Sequence, residues 1–292
     1  MHLTILSRST SIYTTRRLLE AAQERGVGAR VVDPLDVELG LGAGGPAVYW
    51  RGKRFPRTDV VVPRIGLSAH QYGLAVVNQL ELLGVPVLNG SWGIAASRNK
   101  MRILQLLATE GVPVPLTVMA SNSSGLKEMV RFVGGPPVMV KLLSSNERSG
   151  VMICESLQSL EAALEAILGL GQNIVVQQYL HGRRARDLRV IVVGGEVVAA
   201  MRRSVPVGKL SKDLRRGASF EAVDLPANHA RIAVEAARIL RLEACSVDML
   251  DVSGGPRVFE VNGSPSIREA ETECGVDVAG RIVERALALA GT

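Results

Sequence analysis

Short apolar runs alternate with helical apolar stripes along the first ninety residues. The predicted strands are Leu3–Leu6, Ala29–Val32, Asp59–Pro63 and Val85–Leu88, and the predicted helices are Thr14–Arg25 and a segment near Gln71–Leu83. Apolar runs of four or five residues are typical of buried strands, and apolar positions three and four apart are typical of helices. This alternation predicts an open parallel sheet of the α/β class.

The glycine-rich segment Gly40–Gly45 matches the GxGxxG pattern of dinucleotide sites by its letters alone. Pro46–Tyr49 follows it rather than a helix, so we interpret the segment as a loop that leads to a small hairpin turning at Arg51–Lys53. The first strand is followed by Ser7–Ser11, which contains no glycine, and the chain has no GxxxxGK[ST] sequence. The two commonest nucleotide-binding motifs are therefore missing in usable form.

From residue 97 onwards the order of predicted elements becomes mixed. The predicted helices are Ser97–Thr109 with Ser97 as N-cap, a segment near Gly125–Phe132, Leu157–Leu168, Asn228–Leu240 and Asp277–Leu289. The predicted strands are Leu116–Met119, Pro137–Leu143, Val151–Cys154, Ile174–Tyr179 and a hairpin of Leu188–Val193 with Glu196–Met201 around Gly194-Gly195. We expect boundaries near 95 and 180, which gives three units at 1–95, 96–180 and 181–292.

Two apolar runs near the C-terminus are predicted to form a hairpin with the three-residue loop Ser253–Gly255. This loop places residue 252 opposite 256, 250 opposite 258, and Asp248 opposite Glu260. Directly opposite side chains lie about 5 Å apart at Cβ, and Asn262 points to the same side as Glu260 because side chains alternate along a strand. The other face, predicted to pack on the core, carries Val247, Met249, Phe259 and Val261.

Two facing carboxylates repel each other and need compensation. Asp248, Glu260 and the amide oxygen of Asn262 are hard oxygen ligands, which suit Mg²⁺ that also binds substrate phosphates. The alternative is a surface hairpin whose acids pair with arginine. Both interpretations follow from the spacing.

Two lysines occupy positions that the apolar pattern predicts to be buried. Lys141 lies within the apolar run Val138–Leu143, and Lys100 begins a helical stripe with Ile103 and Leu104. A buried ammonium group without a partner is costly. We therefore expect both lysines to point inward and to meet an anion.

The composition is that of an ordinary globular protein, with 47% hydrophobic residues and a net charge of +6. The excess of positive charge is concentrated between Arg183 and Arg216, where basic residues outnumber acidic ones. This stretch is consistent with an anion-binding pocket, a solvated face or a nucleic-acid patch. It lacks interleaved aromatic residues and a recognised nucleic-acid module, so nucleic acid is the least favoured partner.

The chain shows no apolar run long enough to span a bilayer, and we expect no membrane partner. Its three cysteines, Cys154, Cys245 and Cys274, have no paired spacing. With no signal peptide at the N-terminus, this predicts a cytoplasmic protein.

The sequence resembles the RimK-type branch of the ATP-grasp superfamily, the α-L-glutamate ligases. The similar segments are Ile5–Arg8, Val62–Gly66, Val140–Leu142, Val175–Tyr179, Val192–Ala200 and Glu260–Pro265. The resemblance implies an ATP-grasp fold preceded by an open parallel-sheet (pre-ATP-grasp) domain, with ATP between the second and third units. The implied reaction is Mg²⁺- or Mn²⁺-dependent amide formation through an acyl phosphate. It implies that glutamate or a similar amino acid is added to a protein or peptide.

The resemblance also implies roles for individual residues. It implies ATP contacts for Lys100, Lys141, Gln178, Tyr179, Asp187 and Arg203, with Gln178 and Tyr179 facing adenine and Asp187 facing ribose. Arg203 corresponds to a phosphate-contacting, catalytic arginine. The implied metal ligands are Asp248, Glu260 and Asn262.

The implied partners are ATP, an amino acid, and an acidic peptide or protein, in a homo-oligomer (tetramer or dimer). The family's glycine-rich phosphate loop corresponds to Ser144–Gly150, where only Gly150 of its glycines remains. The alternative function is therefore a catalytically weakened homologue that acts as a nucleotide-binding or regulatory protein.

Overall fold

The computed structural model describes residues 1–122, 124–142, 151–169, 173–180, 186–204 and 219–291. The loop Ser144–Gly150 lies outside the described residues, as does much of the basic stretch between Arg183 and Arg216. Within that stretch, the side chains of Arg189, Arg202 and Arg203 are described.

The N-terminal region is built on a parallel sheet, as the alternating pattern predicts. Its elements are β1 (His2–Leu6), α1 (Tyr13–Glu24), β2 (Gly28–Val32), β3 (Val37–Gly40), β4 (Ala47–Trp50), β5 (Lys53–Arg54), β6 (Val60–Pro63) and α2 (His70–Leu82). The parallel sheet has the order β2-β1-β6, and β3-β4-β5 form a separate antiparallel sheet. The predicted loop after Gly40 and the hairpin that follows it are confirmed.

The predicted strand Val85–Leu88 is wrong as a full strand. It forms a single parallel bridge between Val61 and Val87. Pro86 accepts a hydrogen bond from the Val61 amide through its carbonyl, but proline has no amide hydrogen to extend a ladder.

The predicted helix Ser97–Thr109 is two helices, α3 (Ser91–Arg98) and α4 (Lys100–Thr109). Asn99 separates them with an extended backbone, and its side chain accepts a hydrogen bond from the Arg102 amide at 3.0 Å. Ser97 is therefore not the N-cap. Asparagine caps helices well because its oxygen satisfies a free amide of the first turn.

A second, antiparallel sheet follows in the order β7-β10-β8-β9. Its elements are β7 (Thr117–Ala120), α5 (Leu126–Phe132), β8 (Val138–Leu142), β9 (Val151–Cys154), α6 (Leu157–Leu168) and β10 (Ile174–Gln178). Helices α5 and α6 cover one face, where Leu160, Leu164 and Val140 are fully buried.

The third sheet is antiparallel and has the order β13-β12-β11-β14-β15. Its elements and their helices are β11 (Arg186–Val193), β12 (Glu196–Ser204), β13 (Ser219–Ala222), α7 (Ala227–Ile239), β14 (Ala244–Val252), β15 (Gly255–Asn262), α8 (Arg268–Cys274) and α9 (Val278–Ala290). One face packs on α7, and part of the other packs on α1, α8 and α9. The sequence pattern did not predict β13, α3 or α8.

The C-terminal hairpin reaches the predicted pairing of Asp248 with Glu260 by a different register. Its loop has two residues, since Val252 pairs with Gly255, and a register shift between Asp248 and Met249 compensates. The bulge moves Val258 onto the core face at 0% exposure. The expectation that Phe259 faces the core is therefore wrong, and this residue is only half-buried.

Asn89 ties the N-terminal region to this hairpin. Its side-chain nitrogen donates to the carbonyls of Ala244 and Gly263, each at 2.7 Å, and its oxygen accepts from the amides of Glu243 and Ala244. Asn89 is 2% exposed, so these four bonds satisfy a buried amide fully. They fix the start of β14 and the end of β15 against the N-terminal sheet.

Among the residues that the structure describes, no helix has both the length and the apolar character needed to cross a lipid bilayer.

Candidate functional site

One face of the third sheet carries a row of charged side chains. Asp187 and Arg189 are two residues apart on β11 and share this face. Arg203 on β12 lies opposite Asp187, and Asp248 on β14 lies opposite Arg189. Glu260 on β15 lies opposite Asp248. We call these five residues the charged row. It contains two pairs of opposite charge, Arg203 with Asp187 and Arg189 with Asp248, and Glu260 is a third acid beside Asp248.

Asp248 is held by a two-pronged hydrogen bond from Arg189. The Nε and Nη2 atoms of Arg189 lie 2.8 and 2.7 Å from the two carboxylate oxygens of Asp248. Asp248 is 2% exposed, so the pair is buried rather than on the surface. Burial opposes the charge of Arg189, but the hydrogen bonds and negative charge of Asp248 raise its pKa above the usual value. The sequence left open the possibility that Asp248 pairs with an arginine at the surface. The structure shows such a pair, but it is buried.

Asp187 forms a second arginine pair and keeps one oxygen free. Arg203 donates through Nε and Nη2 to Asp187 Oδ2 at 2.8 and 2.5 Å, and its Nη1 lies 3.8 Å from Asp248 Oδ2. Asp187 Oδ1 is buried and has no hydrogen-bond partner among the described residues. Burial raises the pKa of Asp187, and Arg203 opposes that shift. An oxygen buried in this way needs a donor from a ligand or water.

Glu260 and Asn262 differ in how they are held. The Asn262 side-chain oxygen accepts from the Ser264 amide at 2.9 Å, which fixes its orientation. Within the described ranges, the half-buried carboxylate of Glu260 makes no hydrogen bond or ion pair. Glu260 is therefore the acid in the charged row that is open to a cation.

Lys141 lies on β8 in the second sheet, and its charge interacts with the third sheet. Its Nζ donates to Gln177 Oε1 at 2.7 Å, and Gln177 donates to the Thr117 hydroxyl at 2.8 Å. Burial lowers the pKa of Lys141 to about 8; the charge of Lys100 adds to this shift, and the charge of Glu260 opposes it. Lys141 points inward as predicted, and its charge interacts with those of Lys100 and Glu260.

The expectation that Lys100 points inward is wrong. Lys100 is the first residue of α4 and is exposed, although Ile103, Leu104 and Leu107 of the same stripe are buried. The cause is the new helix start at Asn99. Side chains of a helix lean toward its N-terminus, so Lys100 extends beyond the helix end rather than over the core.

Gln178 and Tyr179 lie at the end of β10, and both are half-buried. The Gln178 amide donates to the Leu116 carbonyl at 2.8 Å. This contact fixes the backbone where the second sheet ends, at the position predicted for the adenine-facing hinge.

Sequence reasoning missed Arg189 as a site residue. Asp187 and Arg189 share one face of β11 at period two, and Arg189 pairs directly with a proposed metal ligand. The alternation of charged and apolar positions along β11 indicates that Arg189 shares a face with Asp187. Arg189 also lies in the basic stretch, where it contributes only to the excess of positive charge.

The oxygen atoms of Asp248, Glu260 and Asn262 are of the kind that bind a hard divalent cation. Two carboxylates and an amide oxygen lie on one face, and phosphate oxygens of a nucleotide would supply further ligands. Both oxygens of Asp248 are engaged by Arg189, and in the described part of the chain no three His, Cys, Asp or Glu side chains form a metal-holding group. The residues therefore fit a cation that arrives with phosphate, with Glu260 as its open ligand.

Two family models together match most of the chain. A model of the RimK PreATP-grasp domain matches residues 1–94, and a model of the RimK-like ATP-grasp domain matches residues 97–286.

Curated relatives are similar over nearly the full length. A protein of Methanococcoides burtonii named "Probable alpha-L-glutamate ligase" is 40% identical over 284 residues, which cover 97% of this chain and 94% of the relative. A protein of the same name from Teredinibacter turnerae is 43% identical with the same coverage.

Solved structures share the fold. The ATP-grasp ligase PsnB complexed with a minimal precursor aligns with a TM-score of 0.79 at 22% identity, over 99% of this chain and 98% of that chain. The D-alanine–D-alanine ligase of Bacillus anthracis complexed with ATP aligns with a TM-score of 0.67 at 16% identity, over 100% and 99%. These alignments confirm the predicted fold class, a mixed α/β ATP-grasp fold with an N-terminal pre-ATP-grasp domain. Together with the family models and the full-length relatives, they show that this chain belongs to the RimK-like family of ATP-grasp ligases.

Proposed function

We propose that the protein is an ATP- and Mg²⁺-dependent ligase that joins the amino group of glutamate, or a similar amino acid, to a carboxylate of a peptide or protein. The observation that carries the proposal is the charged row on the third sheet together with Lys141 on the second, whose charge interacts with that of Glu260. The names of the full-length relatives support glutamate as the amino acid. PsnB is a ligase solved with its precursor, which supports a peptide as the other substrate.

The proposed reaction has two steps. An oxygen of the substrate carboxylate attacks the γ-phosphorus of ATP, the bond to the β–γ bridging oxygen breaks, and an acyl phosphate and ADP form. The amine of the amino acid then attacks the acyl carbon and loses a proton, and inorganic phosphate leaves. The products are an amide, ADP and phosphate.

The positive side chains stabilise the negative charge of the phosphates in this proposal. Lys141 is kept in place by Gln177, so little ordering is needed when a phosphate replaces or joins that contact. Arg203 and the exposed Lys100 complete the set. Charge neutralisation by positioned cations is a main part of phosphoryl-transfer catalysis.

Asp248, Glu260 and Asn262 are the residues that would hold Mg²⁺. When bound, the ion would neutralise phosphate charge and align the transferring group. Arg189 fixes the orientation of Asp248 and neutralises part of its negative charge. Mn²⁺ has similar ligand preferences and is the alternative ion in this proposal.

Gln178 and Tyr179 would face the adenine ring, and Asp187 the ribose. The buried, unpaired Oδ1 of Asp187 supports this assignment, since a ribose hydroxyl is a suitable donor for it. The division into units 1–95, 96–180 and 181–292 stays a prediction, with the nucleotide between the second and third.

The cellular setting and the assembly belong to the same proposal. The three cysteines are free thiols, which is compatible with the reducing cytoplasm. A tetramer or dimer is the expected assembly, and light scattering after size-exclusion chromatography measures it.

The test of the proposed function is ADP release from Mg-ATP with L-glutamate and a peptide that ends in acidic residues. We expect ADP release that requires both substrates, and mass spectrometry should show the peptide extended by a glutamyl residue. Hydroxylamine should trap the acyl phosphate as a hydroxamate when L-glutamate is omitted. Nucleotide binding without ADP release across a panel of amino acids and peptides would instead support the nucleotide-binding, regulatory alternative.

A further inference from the structure

A second group of cationic side chains lies in the N-terminal region, outside the charged row. Arg64 follows β6, Arg98 ends α3, and His70 begins α2. We call these three residues the arginine pocket. The two arginines affect each other electrostatically, and Arg98 also acts on His70.

The arginine pocket has no acidic partner among the residues that the structure describes. Arg64 Nη2 donates to the Pro265 carbonyl at 2.6 Å, and Arg98 Nη2 donates to the Ile65 carbonyl at 2.6 Å. Arg64 Nε and His70 Nδ1 are buried, and neither has a hydrogen-bond partner in the described ranges. Burial and the charge of Arg98 lower the pKa of Arg64 to about 10.

Other arginines of the same region form ion pairs with acidic side chains. Arg25 pairs with Asp277 and Glu284, and Arg17 pairs with Glu20 and Glu271. Two neighbouring guanidinium groups that lack such pairs, with a buried donor left over, are costly unless an anion joins them.

The position of the arginine pocket is that of a ligand site. Strand β1 lies between β2 and β6 in the parallel sheet, so the chain changes direction across the sheet at the β1–β6 boundary. Ligands of open α/β sheets bind beyond the carboxyl ends of the strands at such a point. Arg64 directly follows the carboxyl end of β6 at Pro63.

The arginine pocket also borders the proposed reaction site. Arg64 contacts Pro265, three residues after Asn262, and three residues span at most about 10 Å. Arg98 is two residues before Lys100, which interacts with Lys141. A small molecule could therefore reach from one site to the other.

We propose that Arg64 and Arg98 bind a carboxylate of the amino acid that supplies the amine in the ligation. This inference rests on the proposed function. The planar fork of arginine matches a carboxylate by two parallel hydrogen bonds. The proposed nucleotide phosphates already have Lys100, Lys141 and Arg203. Neither carboxylate of an acidic amino acid reacts in the ligation, and within the described ranges no further cationic side chain is assigned to them.

The test is calorimetric titration of L-glutamate into the full-length protein saturated with Mg-AMPPNP. The variants are Arg64→Met, Arg98→Met and Arg64→Lys, with Arg54→Met as the control, because Arg54 is an exposed arginine on β5 of the same region. We expect Arg64→Met and Arg98→Met to weaken L-glutamate binding by about tenfold or more, the loss expected for charge-assisted hydrogen bonds. Arg64→Lys should lose less, and Arg54→Met should match the wild type.

A second titration, of Mg-AMPPNP alone, separates a carboxylate site from a phosphate site. We expect nucleotide affinity to change by less than about twofold in every variant. Loss of AMPPNP affinity in Arg64→Met and Arg98→Met, with L-glutamate binding retained, would overturn the inference in favour of nucleotide phosphate. If Arg64→Met does not fold, as judged by its melting temperature, Arg98→Met and Arg64→Lys decide.

Failure of this inference is distinguishable from failure of the proposed function. Wild-type protein that releases ADP with L-glutamate, but whose L-glutamate affinity is the same in the arginine variants, refutes the arginine pocket alone. Arginine-dependent L-glutamate binding in a protein that never releases ADP keeps the arginine pocket and refutes the ligase. Absence of L-glutamate binding to the wild type refutes the arginine pocket.

Discussion

The charged row and the arginine pocket treat their arginines in opposite ways. In the charged row, Arg189 and Arg203 are paired with Asp248 and Asp187. In the arginine pocket, Arg64 and Arg98 contact only backbone carbonyls among the described residues. The first arrangement fixes acidic side chains in place, and the second leaves positive charge available. The difference indicates that pairing, rather than the number of arginines, separates a positioning role from an anion-binding role.

The largest expected effect comes from breaking a pair in the charged row. Arg189→Met leaves Asp248 buried without its hydrogen-bonded ion-pair partner, and such a loss destabilises a protein by about 3–5 kcal/mol. Urea unfolding monitored by circular dichroism measures the change. The control is Arg202→Met, which removes an exposed pair with Glu221 and should cost no more than about 1 kcal/mol. Similar values for the two variants would contradict the claim that Asp248 depends on Arg189.

The next effect tests the open acid of the charged row. Glu260→Gln should lower the rate of ADP release by about a hundredfold or more, because it removes the charge that would hold a divalent cation beside the phosphates. Glu221→Gln, at an exposed glutamate on β13, is the matched control and should retain activity. Full activity of Glu260→Gln would remove this residue from the proposed metal site.

A smaller effect is expected for Lys141 on the second sheet. Lys141→Met should weaken Mg-AMPPNP binding by about tenfold, since one charge-assisted contact to phosphate is lost. Lys127→Met, at an exposed lysine of α5, should bind as the wild type does. Calorimetric titration checks both, and equal affinity in the two variants would refute the phosphate role of Lys141.

The smallest effect is a pH dependence of stability in the metal-free protein. Burial lowers the pKa of Lys141 to about 8 from its usual value of 10.5. The unfolded chain therefore binds more protons between these two values, and stability rises with pH there. The wild type should gain about 1 kcal/mol relative to Lys141→Met between pH 7 and pH 10, allowing for partial solvent exposure. Urea unfolding in EDTA at both pH values measures it, and a constant difference would contradict the lowered pKa.

The parts of the site that the sequence predicted are those fixed by strand periodicity. The pairing of Asp248 with Glu260 was predicted from two apolar runs around a glycine turn. The inward orientation of Lys141 was predicted from a run that is apolar on both sides of it. The predicted register between the loop and this pair was wrong, because the loop is one residue shorter than predicted. A bulge at Phe259 restores the pairing of Asp248 with Glu260. A bulge depends on packing of the neighbouring strand, which a pattern of apolar positions does not contain.

The parts that the sequence did not predict depend on contacts between distant segments. The pairing of Arg189 with Asp248 joins residues 59 positions apart, and the contact of Arg64 with Pro265 joins residues 201 apart. Lys100 was misplaced because Asn99, rather than Ser97, starts its helix. The capping hydrogen bond of Asn99 therefore determines that Lys100 is exposed rather than buried.

The measurement that tests the central claim most directly is calorimetric titration of Mg-AMPPNP into the wild-type protein and Glu260→Gln, each with and without EDTA. The claim is that the charged row and Lys141 form one site for a nucleotide and its metal ion. It predicts saturable binding to the wild type that EDTA abolishes and that Glu260→Gln weakens strongly. Absence of binding at millimolar nucleotide, or binding that is indifferent to both EDTA and Glu260, would contradict it.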